Sequence, residues 1–450
     1  MSAVDEQMNE RAPLEQSRQE KQADRLVAHD GCMRAAQIAD TAPVGWQLLV
    51  RLFLPFALGY FLSYFFRTIN AVIAPQLTSE FALTASSIGL LTSVYFLAFA
   101  GMQIPIGLMA DRFGPRRVQA ALLLLAAIGA VAFAFGETLE ALIVARGLIG
   151  AGVAGSLMVS LSAFVIWLPP QRVPAASGFL MTFGGLGAFA AGAPSESFIA
   201  AGGAWRDLFL GLAVATVAVA CVVFLTIPER ARPGEGSLRE LVAGLGKIYT
   251  DRVFWKVAPL TIAVLGSAFA LQGLWAGPWL MQVAHRDSHS VGIHLSVMAI
   301  ALLAGSVACG PIAALAARLG LSLLQAVAVL GFVFIAALAG LVLQLTHLSL
   351  LLWAAIGFLT NPMSLTYLAL SHRFHSSMAA RVTTGLNALV LTGSFLIQWI
   401  VGRIIVLWEP LTPGVYPAAA FQTSFGIVLG CVILAWLWYV GSLAMESRRA

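Results

Sequence analysis

Charge is what this chain has least of. Only 10% of its 450 residues are Asp, Glu, Lys or Arg, against roughly 25% in soluble domains, while 59% are hydrophobic. So much apolar surface cannot hide inside one globule, and lipid must cover much of it. Acids are scarcer still at depth: no Asp or Glu falls near the middle of any long apolar run. Cysteine is limited to Cys32, Cys221, Cys309 and Cys431, which show neither pairing nor metal-ligand spacing. Three of the four lie in apolar runs, where Cys packs as a small residue. No zinc-finger spacing, Gly-rich phosphate loop or basic–aromatic array is present, so no metal, cofactor or nucleic-acid partner is expected. No Ser-His-Asp, His-rich or paired-carboxylate constellation stands out, which speaks against an enzyme. The first residues also lack the basic start and apolar centre of a secretory signal.

What is present is a series of about twelve apolar runs, each long enough for the roughly 20 residues a helix needs to cross a bilayer. They are expected at 48–77, 86–110, 117–136, 139–168, 173–201 and 205–227, and again at 256–283, 293–316, 322–345, 348–372, 382–407 and 418–443. The sequence therefore predicts an all-α polytopic membrane protein with two six-helix bundles, at 48–227 and 256–443. Residues 1–47 and 444–450 read as polar tails. The linker at 228–255 opens on Pro-Gly-Glu-Gly, and its Leu238–Tyr249 stretch could form a surface helix. Two halves of six suggest a repeat: Arg318-Leu-Gly320 follows the eighth span as Arg112-Phe-Gly114 follows the second, and Arg172-Val173 and Arg381-Val382 open the fifth and eleventh.

Lys and Arg concentrate in one set of loops, including Arg51, Arg116, Arg172, Arg318, Arg373, Arg381, Arg448 and Arg449, whereas the opposite loops hold Arg206 and Arg286. The positive-inside rule puts both termini on the cytoplasmic side of an inner membrane. Trp205, Trp255 and Trp408 near span ends are expected as interfacial anchors.

The loop between the second and third spans reads Gly107-Leu-Met-Ala-Asp-Arg-Phe-Gly-Pro-Arg-Arg117. It resembles the signature loop of the major facilitator superfamily of secondary transporters, with Pro115 where the family usually has a basic residue. The resemblance implies a binding site between two rocking halves. It also implies a gate built from Gly107, Asp111, Arg112, Gly114, Arg116 and Arg117, in which Asp111 meets the positive end of the eleventh helix when the cytoplasmic side closes. Arg381, at the start of that helix, could add a direct charge pair.

A charge at the bilayer centre costs roughly 2.5–3.5 kcal/mol on insertion scales, and Arg67 lies about two-thirds of the way through the first span. Asn70 follows at i+3, on the same face. A guanidinium with a neighbouring amide suits a carboxylate or another oxyanion. The bland alternatives are snorkelling, or a structural pair with Glu80 or Glu196. The run from Tyr64 to Pro75 resembles the first span of the superfamily's anion:cation symporter branch, although Phe66 replaces an expected acid. Arg146 begins a stretch similar to the superfamily's fourth-span motif, where the Arg is associated with substrate charge or proton coupling; an outer-interface anchor is the alternative. Gln272 and Trp275 in the seventh span, and Asn361 and Tyr367 in the tenth, lie beside Gly or Pro breaks whose freed backbone groups want a cavity. Asn387 and Gln398 are weaker candidates, and His285, His289 and His294 read as a solvated outer loop.

The leading expectation is a carrier that imports a small organic anion through the lipid bilayer with protons. With no deep acid available, the proton would ride on the substrate, use Glu196, or be absent from the cycle. Proton-driven efflux of amphipathic compounds is the rival, and a membrane sensor or scaffold on a transporter fold is the alternative of another class.

Overall fold

The computed structural model describes residues 49–169, 172–227, 246–371, 373–374 and 379–447. The N-terminal tail and most of the linker, including all but the end of the Leu238–Tyr249 stretch, lie outside the described residues. The described residues are almost wholly helical. Eleven helical runs are long and apolar enough to cross a membrane, and a bent pair supplies a twelfth.

Seven spans are single helices: the second (Ala85–Phe113), third (Pro115–Ala134), sixth (Trp205–Thr226), eighth (Ser288–Arg318), ninth (Leu323–Val342), eleventh (Ala379–Ile405) and twelfth (Ala418–Ser447). The other five are broken, and local chemistry accounts for most of the breaks. The first span bends by 44° between its segments Leu54–Thr68 and Asn70–Glu80. Pro75 cannot donate to the Ala71 carbonyl four residues back, and that carbonyl instead faces Gly277, where the backbones approach too closely for a side chain. In the seventh span, Arg252–Ala270 passes through a wide π-type turn at Leu271–Trp275 into Ala276–Gln282; Pro278 leaves the Leu274 carbonyl without its usual donor in the same way. The tenth span breaks at Ser364, between Ser349–Met363 and Leu365–Ser371, where the Ser364 hydroxyl donates to the Asn361 carbonyl at 2.5 Å. The fourth runs as Leu139–Val153 and Met158–Trp167, and the fifth as Val173–Ala190 and Ala193–Ala200.

Polar caps set several helix starts. Thr84, Thr138 and Asp287 accept from the backbone N–H groups of Ser87, Ala141 and Ser290, and Ser322 forms a full capping box with Gln325, satisfying donors that the first turn leaves open. The Ser290 N–H holds the Asp287 carboxyl below the usual range. Because Asp287 caps the eighth helix, that helix begins five residues before the expected 293 and takes in His289 and His294. The His294 ring sits between the Ser290 carbonyl at 2.7 Å and the Ser349 hydroxyl at 3.1 Å, so it is a packed helix residue rather than part of a solvated loop.

The helix pairings repeat. In the first half, the third span packs on the sixth, the second on the fourth and the first on the fifth; in the second half, the ninth packs on the twelfth, the eighth on the tenth and the seventh on the eleventh. The halves meet through the second and eleventh spans and through the fifth and eighth, contacts that the same repeat relates. The glycines of the two echoing loops, Gly114 and Gly320, both adopt positive φ, +82° and +71°, where other residues are strained. Trp205 departs from expectation. It is buried against Phe81, Phe133 and Phe209 and donates to Glu80 at 2.8 Å, so it packs inside the bundle instead of anchoring at the interface. Trp255 is exposed and donates to the Tyr249 carbonyl.

Candidate functional site

Two cavities lie along the seam between the halves. One, of about 580 Å³, sits at the ends of the first, second, seventh and twelfth spans away from the charged loop, bordered by Pro75, Thr78, Trp275, Gln282, His285 and Tyr416. The other, of about 300 Å³, lies at mid-depth and extends toward the charged-loop face. The outer cavity is larger, but among the described residues lining it there is no Arg, Lys, Asp or Glu. The central one has Arg67.

The layer between the cavities is tightly joined. Trp275 Nε1 donates to the Gln398 carbonyl at 3.0 Å, and Gln398 donates through its amide to Thr92. Gly402 lets the eleventh span approach the Ala85 carbonyl at the start of the second with no room for a Cβ. Beside them, Ala193 N donates to the Ser296 hydroxyl at 2.8 Å, joining the fifth span to the eighth. Toward the charged loop the halves part: Met158, Leu161 and Met181 of the fourth and fifth spans face Asn361, Ser364, Tyr367 and Thr383 of the tenth and eleventh across open space. The seam is thus closed between the two cavities, and the central one continues toward the loop side between the fourth and fifth spans and the tenth and eleventh.

Arg67 ends the first half of the bent span, 6% exposed. Its guanidinium carbon lies 4.5 Å from the ring centre of Tyr64, 4.9 Å from Phe269 and 5.5 Å from Phe99, and the Tyr95 hydroxyl lies beside it. Ring faces attract a cation but do not neutralise it. Its Nε has no hydrogen-bond partner. Neither acid proposed as a structural partner reaches it: Glu80 pairs with Arg206, and Glu196 lies 3.8 Å from His289. Among the described residues lining the central cavity, Arg67 is the one charge.

Asn361 and Tyr367 also line this cavity. Asn361 donates through its amide to the Leu302 carbonyl, at 2.9 Å, and to the Ser306 hydroxyl. Tyr367 donates to Asn387 at 3.3 Å, Asn387 to Gln103 at 3.1 Å, and Gln103 to the Ala154 carbonyl at 3.4 Å. This polar line crosses from the tenth and eleventh spans to the second and fourth. Sequence reasoning gave Asn387 little weight and did not weigh Gln103 at all; the available signal was a lone amide amid apolar residues two positions before Pro105.

The remaining candidates stand elsewhere. Asn70 is buried with its side-chain oxygen unpaired and does not border the central cavity. Gln272 borders a small void with Thr68 and Gly192, and Trp275 belongs to the seal. Arg146 is fully buried inside the first bundle, its Nη1 donating to the Phe66 carbonyl at 3.2 Å and its guanidinium against Phe133 and Phe209; it neither reaches the cavity nor anchors at the interface. On the loop, Gly107 is exposed, Arg112 lies over Phe113, and Gly114 ends the second span. Arg116 contacts the end of the sixth span at Ile227 and Phe224, and Arg117 is exposed. Arg381 stands half-exposed in the first turn of the eleventh span. The side chain of Asp111 lies outside the described residues.

The fold matches that of solved transporters: a bacterial homologue of a human lysosomal transporter, Spinster, in an inward-facing state (TM-score 0.66, 18% identity, covering 86% of this chain and 95% of that one), and a D-xylose–proton symporter (TM-score 0.65, 16% identity, 86% and 96%). In sequence, the chain is 35% identical over 155 residues to a probable sulfoacetate transporter of Cupriavidus necator, which is 34% of this chain and 36% of that protein. It is 27% identical to a nitrate/nitrite transporter of Nostoc punctiforme over 37% of this chain and 34% of that one. It is 26% identical to a 4-hydroxybenzoate transporter of Pseudomonas aeruginosa, over 50% of this chain and 48% of that one. These matches thus span between a third and half of the relatives' own length. The family model described as Major Facilitator Superfamily matches residues 56–396, reaching from the first span into the eleventh. With the central cavity and the charged loop both falling inside that match, the chain belongs to the Major Facilitator Superfamily.

Proposed function

We propose that this transporter imports a small organic anion with protons by alternating access, and that Arg67 is the anion's seat. The carrying observation is the pairing of position and vacancy: on the wall of the seam cavity, clad in rings, stands a cation with no other charge and no carboxylate beside it among the described residues. A charge so placed is costly unless an opposite charge arrives, and a guanidinium holds a carboxylate through paired hydrogen bonds. The three anion transporters among the relatives support the same reading. Proton-driven export of amphipathic compounds fits worse where the passenger is a cation, since it would meet like charge at Arg67.

Glu196 is the proposed coupling group. It is the one acid buried among the described residues, where the fifth span meets the eighth beside His289. Asp111 is the proposed gate on the charged-loop side, which the Lys and Arg bias makes cytoplasmic, with both termini on that side of the inner membrane. Asp111→Asn is then expected to slow turnover more than it weakens binding, because a contact made in one state shifts an equilibrium only by its differential energy. The unit boundaries follow the same reading: bundles at 48–227 and 256–443 about the 228–255 linker.

The test is counterflow in proteoliposomes with a panel of labelled carboxylates. Wild type should exchange at least one of them, and Arg67→Ala should abolish the signal while eluting as folded protein. Full activity in that variant would remove the anion seat. A pH jump with and without a membrane potential reads the coupling, and Glu196→Gln should uncouple it.

A further inference from the structure

Resting on the anion seat just proposed, we infer that the substrate is a monoanion with a flat apolar body and a hydrogen-bond donor at its far end. Three observations carry this. The first is charge count: Arg67 is the one charged residue among the described residues lining the central cavity. A dianion would therefore bring one charge that nothing on the wall balances, in surroundings where unpaired charge is expensive.

The second is shape. The guanidinium is flanked by Tyr64, Phe99 and Phe269 at 4.5–5.5 Å, so a carboxylate seated on it has ring surface beside it. Rings pack well against a flat apolar body. A bare inorganic oxyanion would leave the rest of the apolar wall, with Phe99, Phe269, Leu265 and Leu391, uncovered in a cavity of about 300 Å³.

The third is the polarity left over at Asn361. Its amide nitrogen has two hydrogens, and both are used, on the Leu302 carbonyl and the Ser306 hydroxyl. The Ser306 hydroxyl in turn donates to Leu302 O, which fixes the direction of both bonds. Only the Asn361 carbonyl oxygen remains, and it accepts. Tyr367 likewise has given its proton to Asn387 and keeps only lone pairs. These free polar groups therefore welcome a hydroxyl or N–H donor and reject a second carboxylate or sulfonate, which could offer only lone pairs.

The experiment is isothermal titration of the purified full chain in detergent with 4-hydroxybenzoate, benzoate, terephthalate, sulfoacetate and nitrate, on wild type, Arg67→Ala, Asn361→Leu and Asn361→Ser. For wild type, 4-hydroxybenzoate should bind at least tenfold more tightly than terephthalate, sulfoacetate or nitrate, and several-fold more tightly than benzoate. Both Asn361 variants should bring 4-hydroxybenzoate and benzoate within about twofold of each other; the serine variant keeps the test alive if leucine fails to fold, and the wild-type ranking needs no variant. If terephthalate or sulfoacetate binds as tightly as 4-hydroxybenzoate while Arg67→Ala binds nothing, the monoanion class is wrong; if nitrate does, the flat apolar body is wrong; in both cases the anion seat stands. If Arg67→Ala binds the panel as wild type does, the seat itself is wrong and this inference goes with it. If no member of the panel binds wild type, the substrate class is overturned.

Discussion

Arg67 and Arg146 make a natural pair. Both are buried, at 6% and 0% exposure, and both lie against aromatic rings. Their surroundings differ in one respect. The rings on Arg146, Phe133 and Phe209, belong to the third and sixth spans of its own bundle, whereas the rings on Arg67 include Phe269 from the seventh span, across the seam. Arg146 spends a donor on the Phe66 carbonyl, just before the first span bends; Arg67 faces a cavity. A charge kept in oil is thus no evidence of a binding site by itself. What distinguishes the two is whether the walls belong to one bundle or to both.

Methionine, of similar length, makes the contrast testable at both positions. Arg67→Met is expected to lower anion counterflow at least a hundredfold with little change in thermal stability. If transport persists, the two arginines are equivalent and the comparison fails. Arg146→Met should leave transport in place. It strips the Phe66 carbonyl of a donor, a loss of roughly 1–3 kcal/mol for a buried group, but also removes a buried guanidinium whose Nε and Nη2 have no partner. The melting temperature should therefore shift by no more than a few degrees while the substrate KM stays within about threefold. The rings extend the test at smaller scale: Tyr64→Leu should weaken anion binding by about three- to tenfold, and Phe209→Leu should leave binding alone and cost stability, each in line with cation–π contacts of roughly 0.5–2 kcal/mol. The smallest effect sets the baseline. Ser322→Ala breaks the capping box of the ninth span, far from either arginine, and should cost about 1 kcal/mol with transport unchanged.

The helices, the charged loop and the depth of Arg67 were legible in the sequence because each depends on local hydropathy. Arg146 was not, for a physical reason. In a span that is apolar all round, bundle core, lipid and seam look alike, and no periodicity says which way a single polar residue turns. Trp205 was misread on the same ground, since an aromatic near a span end suits the interface and the bundle interior equally well. The polar line from Tyr367 to Gln103 joins residues far apart in the chain, and nothing near either one announces the other. The breaks at Pro278 and Pro362 were visible; that the first lies beside the outer seal and the second beside the cavity wall was not, and the bend of the first span was not read at all.

The meeting of Gly402 with the Ala85 carbonyl has a mechanical corollary. The far mouth shuts by laying bare backbone against bare backbone, so its tolerance is the radius of a hydrogen atom. A methyl group there would act as a doorstop, propping that mouth ajar whatever the passenger did at Arg67. Such a chain could still load and unload its cargo from one compartment, and would deliver none to the other.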